Sequence, residues 1–91
     1  MYKKETVVIN ASGLHARPAS DFVKEAKKFE AKINIRKTGG ADEAVNAKSI
    51  MRLLSAGISK GTRVEISAEG TDETAAVDAL AALVEGGFGE L

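Results

Sequence analysis

From Val64 to Glu69 apolar and polar residues alternate without a break, with Val64, Ile66 and Ala68 set against Glu65, Ser67 and Glu69, and with Gly61 and Gly70 on either side. Successive side chains of a strand point to opposite faces, so this pattern predicts a strand with one face buried and the other in water. A sheet built on it needs a cover on one side only. Two segments can supply that cover. Ala19, Phe22, Val23, Ala26 and Phe29 recur at helical spacing between Pro18 and Phe29. Ala76, Val77, Leu80, Leu83 and Val84 do the same behind Thr71, an N-cap candidate, with Asp72 and Glu73 suited to the first turn and Gly86-Gly87 to the stop.

The remaining segments complete the order strand, helix, strand, strand, short helix, strand, helix. Tyr2 to Ile9 is rich in β-branched residues, and Ile33 and Ile35 alternate with Asn34 and Arg36. A turn at Thr38–Asp42 then leads to a short partner strand at Ala44-Val45. Ser49 precedes Ile50-Met51-Arg52-Leu53-Leu54, and Gly57 follows, which is the pattern of a capped short helix. Four strands with three helices segregated to one face predict an α+β open-faced sandwich with right-handed crossovers. The tail Phe88-Gly89-Glu90-Leu91 is expected to fray.

Ninety-one residues suit a single domain spanning 1–91, with room for a two-layer core. With no cysteine and one histidine, the chain offers neither a disulfide framework nor a thiolate metal site, and no metal or cofactor is expected. The start runs directly into a strand pattern, and no apolar run approaches the roughly 18 residues of a membrane span, so a cytoplasmic location without membrane insertion is the expectation. Charge is uneven. Residues 1–40 hold nine basic and four acidic residues, whereas 41–91 hold four and nine. Two solvated faces would explain that split; so would a basic rim of Arg17, Lys24, Lys27 and Lys28 that attracts acidic protein partners. Overall neutrality and few aromatic residues argue against nucleic acid.

The only histidine sits in Gly13-Leu14-His15-Ala16-Arg17-Pro18-Ala19, where the first strand gives way to the first helix. A histidine at a helix start is commonly a cap or a surface residue. Here, however, the first helical N–H groups lack intrahelical partners, the peptide dipoles add partial positive charge, and Arg17 adds a guanidinium suited to phosphate oxygens. Gly13 allows a positive φ, and Pro18 sits in the first turn, where its missing N–H is no loss. An imidazole beside an anion cradle is what a phosphoryl-carrying histidine requires. A hydrolase would need a nucleophile partner or a carboxylate dyad that the sequence does not offer.

That heptapeptide resembles the signature of the histidine-containing phosphocarrier (HPr) family of the bacterial sugar phosphotransferase system. The similarity continues through Phe22-Val23-Lys24-Glu25-Ala26, Lys48-Ser49-Ile50-Met51 and Leu54-Ser55-Ala56-Gly57, and covers nearly the whole chain. The turn at 38–43 is a few residues longer than the family pattern. The resemblance implies a four-stranded antiparallel sheet in βαββαβα order. It implies that His15 accepts a phosphoryl group on Nδ1 from phosphorylated enzyme I, itself charged by phosphoenolpyruvate, and passes it to enzyme IIA domains. Ala16 and Arg17 would cradle the group, in a carrier that is not an independent enzyme.

The resemblance also implies a docking face made of Ile50, Met51 and Leu54 with Arg17, Ser20, Lys24 and Lys27; Arg52 belongs with the basic residues some members carry there. Independently, four apolar residues are more than so short a helix can bury on one stripe, so some are expected in solvent. Ser49 alone reads as a cap. In the family's Gram-positive members the matching serine carries a regulatory phosphate, which would bring an HPr serine kinase/phosphorylase and a catabolite-control regulator among the partners of a monomer. A purely regulatory module acting through phospho-Ser49 is the alternative, and the presence of His15 argues against it.

Overall fold

The computed structural model describes residues 1–39 and 43–90. Its elements are β1 (Tyr2–Val7), α1 (Ala16–Ala26), β2 (Lys32–Lys37), β3 (Val45–Asn46), α2 (Ile50–Ser55), β4 (Arg63–Glu69) and α3 (Glu73–Glu85), followed by a 3₁₀ turn at Gly87–Gly89. The strands form one antiparallel sheet in the order β1-β4-β2-β3. The alternating segment thus lies inside the sheet. Val64, Ile66 and Ala68 are buried, as are their neighbours Thr6, Ile33 and Ile35 on the flanking strands, while Glu65 on the open face bonds Arg36 at 3.0 Å.

The covered face packs against α1 and α3. Pro18, Ala19, Phe22, Val23 and Ala26 point inward from α1, and Ala76, Val77, Leu80, Ala81 and Val84 from α3. Phe22, Leu53 and Ile58 are fully buried between the layers. This is the α+β open-faced sandwich that the hydropathy pattern predicts.

Element ends depart from that pattern for specific reasons. β1 stops at Val7 rather than Ile9. Val8 leaves the ladder to exchange hydrogen bonds with the β4 approach, donating to the Thr62 carbonyl at 3.0 Å and accepting from the Gly61 N–H at 2.7 Å. α1 runs from Ala16 to Ala26 instead of Pro18 to Phe29, because Lys28 and Phe29 tighten into bonds to carbonyls three residues back. β3 is Val45–Asn46, one residue later than expected. Residues 40–42 of the expected turn lie outside the described residues.

The N-cap of α3 is Asp72, not Thr71, and it caps without its side chain. Its carboxylate instead accepts the backbone N–H groups of Glu30 and Ala31, at 2.8 and 2.9 Å, tying the start of α3 to the turn between α1 and β2. Leu83 is only half-buried; Ala81 takes the inward place. Up to Glu90 the tail is held against the body of the chain rather than frayed, and Leu91 lies outside the described residues. Phe88 packs half-buried against the core, and the Glu90 side chain bonds back to the chain near residue 10.

Candidate functional site

The loop from Asn10 to Leu14 sets the position of His15. The Gly13 N–H donates to the Asn10 carbonyl at 3.1 Å, and the Asn10 side-chain amide donates to the Gly13 carbonyl at 3.0 Å. Leu14 is fully buried, and its N–H reaches the Ile58 carbonyl at 2.9 Å. Gly13 has φ +64°, and a Cβ there would lie 2.6 Å from the Ile58 oxygen and 2.8 Å from the Ser59 Cα. Only glycine allows both that dihedral and that approach.

His15 follows as the N-cap of α1, with extended backbone (φ −132°, ψ 164°) and no capping hydrogen bond from its ring. The imidazole is half-buried and is not consumed by the helix it opens. Ala16 has φ +51°, a left-handed conformation that costs an alanine about 1–2 kcal/mol. Helical geometry leaves the Ala16 and Arg17 N–H groups without acceptors four residues back, and Pro18, buried in the first turn, has none to leave. Arg17 is exposed and, among the described residues, makes no ion pair. A ring, two backbone donors and a guanidinium thus belong to three consecutive residues at the helix start. That combination can receive an anion beside a nucleophilic nitrogen.

The outer face of α1 continues from this corner. Ser20, Lys24 and Lys27, with Val23 between them, line a shallow depression of about 360 Å³ whose far wall is Ile50 of α2, so four of the sequence-predicted docking residues adjoin. Lys28, just past the helix end, is exposed and pairs with Glu25 at 3.0 Å. On α2 only Leu53 is buried, while Met51 is 76% exposed, Leu54 42% and Ile50 39%, and Arg52 is exposed beside them. Ser49 caps α2, its hydroxyl accepting the Arg52 N–H at 3.3 Å, and Gly57 with φ +64° follows its end.

Sequence reasoning passed over three residues of the corner. Glu90 accepts from the Asn10 amide and the Ser12 hydroxyl, both at 3.1 Å, and these bonds, the Asn10 bond foremost, hold its carboxyl below the usual range. Asn10 before Gly13 was readable as a turn residue. Nothing local marks Ser12 or Glu90. Among the described residues, no group of three or more His, Cys, Asp or Glu could hold a metal ion, and no helix is long and apolar enough to cross a membrane.

Fold and corner together define a class, that of small α+β domains that display a single imidazole at the start of one helix and exposed apolar residues on a second, short helix. The particular family follows from comparison. The family model described as the PTS HPr component phosphorylation site matches residues 2–86, and the chain belongs to that family. It is similar to the phosphocarrier protein HPr of Vibrio cholerae, at 45% identity over 85 residues that cover 93% of this chain and 96% of that protein. It also matches the multiphosphoryl transfer protein of Vibrio cholerae at 42% identity, over 89% of this chain and 20% of that one, so it spans about a fifth of the longer relative. Among solved structures, HPr-C-His from Thermoanaerobacter tengcongensis superposes with a TM-score of 0.93 at 46% identity, covering 100% and 99% of the two chains. The chain is an HPr phosphocarrier component of the phosphotransferase system and not an independent enzyme.

Proposed function

We propose that His15 carries the phosphoryl group, on Nδ1, with Arg17 and the Ala16 and Arg17 N–H groups holding its oxygens. One observation carries this reading: the chain's only imidazole stands at a helix start without a capping bond, next to a guanidinium with no ion pair among the described residues. The bond from Nδ1 to phosphorus forms as the donor's bond to phosphorus breaks, and the reverse exchange delivers the group. A carrier must also release its cargo. An exposed cradle with one solvent-facing cation holds phosphate modestly, which keeps transfer to an acceptor from becoming uphill.

The donor in this reading is phosphorylated enzyme I and the acceptors are enzyme IIA domains, both met in the cytoplasm by a single-domain monomer. Ser20, Lys24, Lys27, Ile50, Met51, Arg52 and Leu54 form the docking face. Its exposed apolar centre and basic border support that assignment, methionine being adaptable enough to fit several partners. Phosphorylation of Ser49 by an HPr serine kinase/phosphorylase would add about −1.5 to −2 charge beside this face, weakening acidic partners and creating a mark for a catabolite-control regulator.

Incubation with phosphoenolpyruvate and enzyme I, followed by intact mass, tests the reading. Wild type should gain one acid-labile phosphoryl group, and His15→Ala should gain none while keeping its fold. Full labelling of His15→Ala, or an acid-stable product on wild type, would overturn it.

A further inference from the structure

We infer that Glu90 is a positioning residue that clamps the loop presenting His15. The inference rests on the reading of His15 as phosphoryl acceptor. Glu90 lies 80 residues from Asn10 and 78 from Ser12, yet its two carboxylate oxygens take one hydrogen bond from each, at 3.1 Å. Asn10 is fully buried, and the same amide nitrogen that reaches Glu90 also reaches the Gly13 carbonyl. A single side chain therefore joins the tail to the turn that leads into His15.

Two features show that the fold sustains this junction at a cost. The Asn10 Oδ1 is buried without a hydrogen-bond partner. Turning the amide over would aim that oxygen at two other acceptors, the Gly13 carbonyl and the Glu90 carboxylate, so the network fixes its orientation. The tail itself curls through three consecutive left-handed residues, Gly87, Phe88 and Gly89, with φ of 66°, 55° and 75°. Phe88 is not a glycine, and a left-handed phenylalanine is strained. Its half-buried ring and the Glu90 bonds hold it there. Residues 88–90 thereby form one wall of a cleft of about 300 Å³ whose other wall is Arg17, Pro18 and Asp21. Between them the tail and the first turn of α1 bracket the corner.

The clamp acts through hydrogen-bond geometry rather than charge. In Glu90→Gln the side-chain oxygen can still accept from Asn10 and the new amide can donate to the Ser12 oxygen, whereas Glu90→Ala removes both bonds. Two readouts separate the clamp from the His15 reading. The first is hydrogen exchange at the Gly13 and Leu14 amides, which needs no phosphoryl chemistry. The second is the rate of His15 labelling, by phosphorylated enzyme I and by inorganic phosphoramidate. In the latter the imidazole displaces ammonia from phosphorus without any protein partner.

In Glu90→Ala the two amides should exchange roughly tenfold faster, as expected when a local opening loses its tether. Labelling by phosphoramidate and the maximal transfer rate from enzyme I should fall roughly three- to tenfold through misplacement of the ring, with the half-saturating enzyme I concentration unchanged. Glu90→Gln should stay near wild type throughout. Unchanged exchange and rates in Glu90→Ala would overturn the clamp, as would a Glu90→Gln variant as impaired as Glu90→Ala. If wild type takes no phosphoryl group on His15 from either donor, the His15 reading fails, and amide exchange alone still decides whether Glu90 holds the loop.

Discussion

Gly13 and Ala16 flank the histidine with positive φ, and they differ in how much the sequence reveals. A glycine ahead of a strand-to-helix junction announces a left-handed turn because it alone adopts one freely. An alanine announces nothing. Its φ of +51° arises because the chain must pass from the extended His15 into a helix whose first turn contains a buried proline, a constraint visible only in the folded chain. Ser49 and Gly57 were legible for the same local reason as Gly13, a cap oxygen before an apolar run and a glycine after it. Replacing Gly13 by alanine should destabilise the protein by about 1–3 kcal/mol through backbone strain and the close Ile58 and Ser59 backbone. It should also slow His15 labelling, since Leu14 and its bond to Ile58 would shift with the turn. Urea titration and the phosphoramidate rate measure the two effects. A stable variant with normal labelling would show that the turn does not set the ring's position.

At the scale of elements, apolar periodicity together with β-branched runs, turn residues and cap signals located the four strands and three α-helices, and missed mostly at the ends. The reason is that ends are decided by partners distant in sequence. Asp72 carries its carboxylate to Glu30 and Ala31, 42 and 41 residues away, so the position that looked like ordinary first-turn charge became the cap while Thr71 did not. α2 is the opposite case. Its excess of apolar residues over what six residues can bury already implied an exposed patch, and Ile50, Met51 and Leu54 form it. With that patch as the docking centre, Met51→Ala should weaken enzyme I binding by roughly 1–2 kcal/mol, the cost of a substantial interface contact. Ser49→Asp should weaken it as well, by charge. Because salt screens charge repulsion and hardly touches a lost apolar contact, raising ionic strength should narrow the Ser49→Asp deficit more than the Met51→Ala deficit. Titrations of both variants at low and high salt check this, and wild-type affinity in both would place α2 outside the functional surface.

Across the whole molecule, several contacts that close the fold are made by carboxylates. Asp72 joins α3 to the α1–β2 turn, Glu90 joins the tail to the His15 loop, and Asp78 joins α3 to β1 through Lys4 and Tyr2 at 2.9 Å each. None of these long-range contacts is legible in the sequence, where Asp72 reads as first-turn charge and nothing local marks the partners of Asp78 or Glu90. Each carboxyl lies below its ordinary value. The Glu30 N–H is the foremost cause for Asp72, the Lys4 side chain for Asp78 and the Asn10 amide for Glu90. A carboxyl whose folded pKa is lowered contributes stability that is present above its unfolded pKa, about 4, and is lost as pH falls through the folded value. The urea midpoint should therefore decline on acidification below about pH 5, as these groups take up protons in the unfolded chain first. Asp72→Asn isolates one of them. An asparagine has a single acceptor oxygen for two backbone N–H groups and cannot titrate, so the variant should be less stable than wild type at neutral pH. The gap should then shrink toward pH 3 as wild type loses its own carboxylate. Urea midpoints of both proteins across that range supply the measurement; a gap that stays constant with pH would mean that the Asp72 charge does not contribute to holding α3 against the α1–β2 turn.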